Sequence, residues 1–140
     1  MTVHYGTGAV PTREDLVDLY RSVEWTEYTK DPQLLTRAVE SSLFVVSAYH
    51  EDRLVGLARV VGDGLTIVYL QDLLVSPAHQ RRGIGRELFR RAFEPFQAVR
   101  QKVLMTDNDY AQLAFYSSLG FTEVHALSRP LNVYVKIDPS

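Results

Sequence analysis

Apolar positions change their spacing several times along the chain, and the changes mark out its elements. Leu16, Leu19, Tyr20 and Val23 recur at helical intervals after Thr12, a good N-cap with Asp15 three residues on. A second helical stripe, Leu34, Leu35, Ala38 and Val39, follows Asp31-Pro32, an N-cap with proline at the first helical position. From Leu43 to His50 the residues are mainly β-branched and aromatic; Glu51-Asp52 turns the chain, and Leu54 to Val61 returns. Gly62-Asp63-Gly64 is a second tight turn, leading into a strand over 66–75. Strands joined by such short turns must run antiparallel, so these three form a meander. Helical spacing then resumes over 85–94, with Leu88, Ala92 and Phe93 on one face. A strand over 102–106, a helix over 109–119 and a strand over 121–124 follow. In the last strand, 131–137, Leu131, Val133, Val135 and Ile137 alternate with Asn132, Tyr134 and Lys136. Residues 1–10 are too mixed to assign, though Thr2 to Tyr5 could pair as an edge strand.

Strand 66–75, its following helix and strand 102–106 make a right-handed βαβ unit. The expected fold is therefore α/β of the α+β type. Its sheet is mixed and mostly antiparallel, with a central βαβ unit and helices on both faces, as a single domain over residues 1–140. Length and composition agree: 140 residues suffice for a core without staples, and 46% hydrophobic with 23% charged residues is ordinary for a globular chain.

A net charge of −2 argues against a general nucleic-acid binder. The absence of cysteine excludes disulfides, thiolate metal sites and cysteine nucleophiles. His4, His50, His79 and His125 show no metal-ligand spacing, so no metal is expected. With no long apolar run and no leader pattern, the expectation is a cytoplasmic protein without a membrane partner.

The chemistry concentrates between Leu70 and Phe93. An apolar strand is stopped by Ser76-Pro77, and a basic turn, Gln80-Arg81-Arg82-Gly83-Ile84-Gly85, then opens a helix. First-turn amides lack intrahelical partners, and the helix dipole adds positive charge there. Two glycines admit an anion to the backbone, and Arg81, Arg82 and Arg86 add full charges. These residues describe a phosphate or pyrophosphate cradle, or else a basic turn that merely starts a helix. Neither a P-loop nor the dinucleotide fingerprint fits, for lack of Gly-Lys-Ser/Thr and of a third glycine.

This stretch resembles motif A of the GNAT superfamily of acyl-CoA-dependent N-acetyltransferases, Gln/Arg-x-x-Gly-x-Gly/Ala after a strand ending near Val. Gln80, Gly83 and Gly85 fill the defining positions, and Val75 stands at the strand's end. The resemblance implies acetyl-CoA as co-substrate. Its pyrophosphate would lie on the amides and side chains of Gln80, Arg81, Arg82, Gly83, Ile84, Gly85 and Arg86, with the strand backbone at Leu73 and Val75 beside it. The Val75 amide, or one next to it, would serve as oxyanion donor where strands 66–75 and 102–106 diverge.

A second stretch, 109–121, reads physically as a helix capped by Asp109, Asn108 or Asp107, with Gly120 beyond its end. Leu113, Tyr116 and Leu119 are core residues on that reading alone. The stretch also looks like GNAT motif B, whose ending matches Phe115, Tyr116, Gly120 and Phe121. The family often has Asn and Ala where Asp109 and Gln112 stand. Asp109, when ionised, cannot donate the side-chain amide contact expected to the pantetheine arm, and Asn108 is the neighbouring substitute. By resemblance Tyr116 is the general acid that protonates the departing thiolate. A phenol of pKa ~10 holds its proton at neutral pH.

Two further groups have double readings. Glu24-Trp25-Thr26-Glu27-Tyr28 either fills the space between two helices or walls a cationic acceptor site, with Glu24, Trp25, Glu27 and Tyr28 as substrate-binding residues. Asp72 is the first candidate for a base, or else a carboxylate held in a buried hydrogen bond. The implied activity is N-acetyl transfer to a primary amine, of a small molecule, by direct attack in a ternary complex (an acyltransferase of EC 2.3.1 type). A protein or peptide N-acetyltransferase and a non-catalytic acyl-CoA sensor are the alternatives; the sensor has no need of Tyr116. Acyl-chain preference and oligomeric state, a homodimer included, stay open.

Overall fold

The Thr12 hydroxyl accepts the Asp15 amide at 3.2 Å and starts α1 (Arg13–Ser22). The Asp31 carboxylate likewise accepts the Leu34 amide at 3.1 Å, ahead of the proline that opens α3 (Pro32–Glu40). Between them lies the single turn α2 (Thr26–Thr29). The computed structural model describes residues 1–139, and the chain divides into two compact units, Met1–Met105 and a second from Thr106 onward.

In the first unit, five strands lie in the order β1 (His4–Thr7), β2 (Phe44–His50), β3 (Arg53–Gly62), β4 (Ile67–Val75) and β5 (Gln101–Leu104). β1 to β4 pair antiparallel, and β5 joins β4 in parallel after the crossover helix α4 (Ile84–Phe93). The β2–β3 turn places Glu51 and Asp52 at φ 50° and 63°, the positive angles that a two-residue hairpin turn demands.

Alternation along the strands assigns the two faces. Val45, Leu57 and Leu74 meet Leu16, Leu19 and Tyr20 of α1 and Leu35 and Val39 of α3 in one buried cluster. Gly56 lies on the opposite face, beneath α4: a methyl there would stand 2.8 Å from Leu88 and 3.4 Å from Ile84. Helices thus cover both faces. Leu34 departs from the expected stripe; it is exposed, because α3 turns Leu35 and Val39 inward.

The register of β4 against β3 slips once, so that Asp72 pairs with Arg59 and Leu70 with Val60, leaving Gln71 as the extra residue of a bulge. A bulge reverses the faces, so Gln71 and Asp72 both turn toward the helices α1 and α2.

The second unit holds α5 (Tyr110–Ser118), begun by the Asp109 carboxylate on the Gln112 amide at 2.8 Å. It closes with Gly120 at φ 91° and bonds from Gly120 to the Ser117 carbonyl and from Phe121 to that of Tyr116. No described residue from 106 to 139 is fully buried. Leu113, expected in a core, is 48% exposed, and Tyr116 and Leu119 are only partly covered. The expected strands 121–124 and 131–137 are not formed: a short 3-10 turn, Val124–Ala126, is followed by chain without strand pairing. Alternating side chains supply a face for a sheet, but a strand exists only where a neighbour takes its backbone hydrogen bonds.

Candidate functional site

Ser76 is the last residue of the sheet's reach. Its amide bonds the Val55 carbonyl at 2.8 Å, and Pro77–His79 then makes one 3-10 turn. The Gln80 side chain folds back, its amide nitrogen donating to the Val75 carbonyl at 3.0 Å. Arg81 and Gly83 adopt left-handed backbone, φ 64° and 82°, and α4 begins directly after Gly83. A Cβ built on Gly83 meets nothing within 4 Å, so the space before the helix is open. Ile84 is buried and anchors the first turn, while Gln80, Arg81, Arg82, Gly83 and Arg86 are exposed and Gly85 partly so. Glu87, the acid of that turn, would oppose an anion. It is drawn toward Arg90 and Arg91 at 2.7 and 3.0 Å, and their hydrogen bonds lower its pKa to about 2. Amides without a preceding turn, the positive helix end and the exposed guanidinium groups of Arg81 and Arg82 are therefore gathered around one open space.

The strand leading to this turn presents an open edge. The Ser76 bond to Val55 makes Val75 and Gly56 a non-hydrogen-bonded pair. The N–H and C=O of Val75, and those of Leu73 two residues earlier, consequently point away from β3. On that side β5 pairs with β4 only as far as Leu70, opposite Leu104. Both main-chain groups of Leu73 and the N–H of Val75 thus lie beyond the point where the two strands part, while the Val75 carbonyl accepts the Gln80 side chain.

Asp72 sits on the other face of this strand, 3% exposed. Its Oδ2 accepts from Tyr20 and from Arg59 Nε, and its Oδ1 from Tyr28, each at 2.8 Å. Arg59 reaches on to Ser42 at 3.3 Å and to the Tyr28 hydroxyl at 3.4 Å. Both oxygens of this carboxylate are therefore engaged, Oδ2 by an ion pair and a phenol and Oδ1 by a second phenol. The geometry favours a buried hydrogen-bonded role for Asp72 over that of a base. Burial, with the Asp72 charge behind it, holds the Tyr20 phenol well above its usual pKa and raises that of Tyr28.

Both readings of the acidic-aromatic loop find some footing. Trp25 and Tyr28 pack partly against the core, with Tyr20 edge-on to both rings at 5.8 and 5.1 Å. Yet the Tyr28 hydroxyl also receives the Gln71 side-chain amide at 3.2 Å, on the exposed side of the bulge. Glu24 is exposed on left-handed backbone, and Glu27 bonds Lys30 at 2.8 Å. In the second unit Asp109 is spent on its helix cap, while Asn108 is exposed beside it. Burial pushes the Tyr116 phenol up to about 12. Among the described residues no group of His, Cys, Asp or Glu is arranged to hold a metal ion, and no helix is long and apolar enough to cross a membrane.

The Acetyltransferase (GNAT) domain matches residues 10–129, across both units. The chain belongs to the GNAT acetyltransferase family. A GNAT family acetyltransferase from Streptococcus pneumoniae TIGR4 is similar in structure, with TM-score 0.83 and 31% identity, covering 98% of this chain and 100% of that one. An uncharacterized ycf52-like N-acetyltransferase of Prochlorococcus marinus is 27% identical over 115 residues. That match takes in 77% of this chain and 63% of the relative, so the chain spans less than two thirds of its length. The aminoglycoside N-acetyltransferase AAC(6')-Iy, solved in complex with CoA, shares the fold at 15% identity, TM-score 0.72, over 98% of this chain and 95% of that one. For this GNAT chain, motif and fold agree: the sheet is mixed and open, and the Gln80–Gly85 turn leads into α4 as the resemblance requires. Arg59, Tyr20 and Gln71 are the site neighbours that sequence reasoning misses. Their signal is faint but real: a lone arginine and a lone aspartate in adjacent apolar strands of one meander.

Proposed function

We propose that this GNAT protein transfers an acetyl group from acetyl-CoA to a primary amine of a small molecule, by direct attack in a ternary complex. One observation carries the reading: the open edge of β4 at Leu73 and Val75 is joined by the short turn at Pro77–Gly83 to the exposed, basic N-terminus of α4. Donors for a long thioester and for its diphosphate are thereby laid along one path. Acetyl-CoA supplies an activated acyl group and a thiol leaving group. The residues Gln80 to Arg86 bind its diphosphate, the Leu73 and Val75 backbone aligns the acyl arm, and Asn108 stands in for the side-chain amide that Asp109 lacks. Both units serve one domain on this reading, and the family match running across them supports it.

Tyr116 holds the proton that the leaving sulfur needs. Its phenol, raised to about 12 by burial, is fully protonated at any physiological pH. Asp72 is a positioning residue that keeps Tyr28 and the bulge in place; the amine loses its proton to water. Trp25, Tyr28, Glu24 and Glu27 border the acceptor, with aromatic faces and carboxylates suited to a cation.

The test is calorimetry of CoA binding to Gly83→Asp and Gly83→Asn. Both side chains tolerate left-handed backbone and have nearly the same shape, so they differ mainly in charge. The aspartate should weaken binding at least roughly tenfold more than asparagine, about 1.4 kcal/mol. Equal affinities in folded variants would remove the diphosphate from this turn.

A further inference from the structure

The polar network at the β4 bulge leaves one atom without a partner. All three Arg59 nitrogens are engaged: Nε by Asp72, and the terminal two by Ser42 at 3.3 Å and Tyr28 at 3.4 Å. Tyr28 has a single hydroxyl hydrogen, and Asp72 Oδ1 receives it at 2.8 Å. Burial, with the Asp72 charge after it, raises the pKa of that phenol, so the proton stays on Tyr28. Toward its other neighbours the Tyr28 oxygen can therefore only accept. This decides which way round the Gln71 amide sits. Its Nε2 must face Tyr28, as it does at 3.2 Å, and its Oε1 must face away. Gln71 is exposed, and among the described residues none donates to that Oε1.

The place of Gln71 in the strand gives this oxygen a use. β5 pairs with β4 as far as Leu70, so Gln71 is the first residue past the point where the strands part. The bulge turns it toward α1 and α2, beside Tyr28. Leu73, whose backbone aligns the acyl arm in the acetyl-transfer reading, follows two residues on. We propose that Gln71 is a specificity-determining residue for the acceptor: its Oε1 takes a hydrogen bond from an N–H of the amine, and it selects amines with no carboxylate on the neighbouring carbon. The proposal rests on the acetyl-transfer reading and narrows its substrate class. An amide free to turn would suit either kind of acceptor, offering its carbonyl to an N–H or its NH2 to a carboxylate. The chain Asp72–Tyr28–Gln71 removes that freedom. With the donor end held on Tyr28, an incoming carboxylate meets the amide carbonyl, oxygen against oxygen, and is repelled. Asp72 and Arg59 act through Tyr28 as positioning residues, fixing the direction of a side chain they do not touch.

Phenethylamine and phenylalanine differ by one carboxylate and probe the selection directly. With acetyl-CoA as donor and thiol release as the assay, wild type should prefer phenethylamine in kcat/KM by at least roughly tenfold. Gln71→Met keeps the side chain's length and removes both polar ends; the residue is exposed, so urea unfolding should match wild type. Its kcat/KM for phenethylamine should fall roughly tenfold with the acetyl-CoA KM unmoved, and its preference over phenylalanine should shrink to a few-fold. Tyr28→Phe keeps the ring but lets the amide turn, and should narrow the preference likewise. In Gln71→Met/Tyr28→Phe the two losses of preference should not multiply, because both act through one oxygen. A Gln71→Met protein with the wild-type preference would overturn the role of Gln71, and losses that multiply would overturn the relay through Tyr28. Wild type that acetylates both probes equally well would overturn the selection while leaving acetyl transfer intact. Wild type that binds CoA yet acetylates neither would instead sink the acetyl-transfer reading, and this proposal with it.

Discussion

At the scale of single residues, the pair Arg59–Asp72 and the tyrosine Tyr116 divide structure from chemistry. Arg59 and Asp72 are 6% and 3% exposed, so removing one leaves the other's charge in the core. Arg59→Ala should cost about 3–5 kcal/mol in urea unfolding, the penalty for a buried charge stripped of its partner; a loss below ~1 kcal/mol would mean that water reaches Asp72. Tyr20 gives a pH signature. Its folded pKa lies well above the ~10 of an unfolded tyrosine, because of burial and then the Asp72 charge. Its contribution is complete below pH ~10. It is lost as pH rises further, when unfolded chains release a proton that folded chains keep, about 1.4 kcal/mol per pH unit. Tyr20→Phe should be less stable at neutral pH, lacking a buried hydrogen bond worth ~1–3 kcal/mol, yet lose less on going to alkali. Tyr116 belongs to the other class. Tyr116→Phe keeps the ring and should fold normally, while kcat falls roughly 10²–10⁴-fold with acetyl-CoA binding unaltered. A folded variant turning over at the wild-type rate, with chemistry rate-limiting, would strip Tyr116 of the acid role.

At the scale of elements, caps and turns were legible because they depend on neighbours in sequence. Thr12, Asp31, Asp109 and Gly120 each do locally what their chemistry dictates. The turn at Gln80–Gly83 and the helix that follows it were legible for the same reason: a turn and a helix start are set by a few consecutive residues. What escaped depends on distant partners. Nothing local shows that the register of β4 slips at Gln71, or that Arg59 and Tyr28 converge on Asp72, and strands 121–124 and 131–137 lack the neighbour their pattern presupposes. Gly56 is of this second kind. Its apolar strand gives no local sign of a close approach, yet α4 comes so near that Leu88 would stand 2.8 Å from an added Cβ. Leu88 is fully buried and cannot yield, and the Leu74 carbonyl waits at 3.3 Å. Gly56→Ala should therefore destabilise by about 1–3 kcal/mol despite the better strand propensity of alanine. Because the displaced element is α4, CoA affinity measured by calorimetry should fall with it. An unchanged affinity would show that the helix start holds its place independently of the packing beneath.

At the scale of the whole molecule, binding and chemistry separate in a melting experiment. A ligand that binds only folded protein stabilises it by about 2.7 kcal/mol at a hundredfold excess over its Kd. For a chain of this size, 1 kcal/mol moves Tm by roughly 2–4 °C, so saturating CoA should raise Tm by about 5–10 °C. The two proposed roles then predict different patterns across three proteins. Wild type and Tyr116→Phe should show the same rise, since the phenol acts when charge develops on the sulfur and adds little to the resting complex. Gly83→Asp, whose side chain places a negative charge before the α4 N-terminus, should show a rise smaller by about 1.4 kcal/mol or more. A rise in Gly83→Asp equal to that of wild type would move the diphosphate off the α4 turn, whatever the activity of that variant. A diminished rise in Tyr116→Phe would instead make the tyrosine a binding residue, and its effect on turnover could then no longer be read as proton transfer.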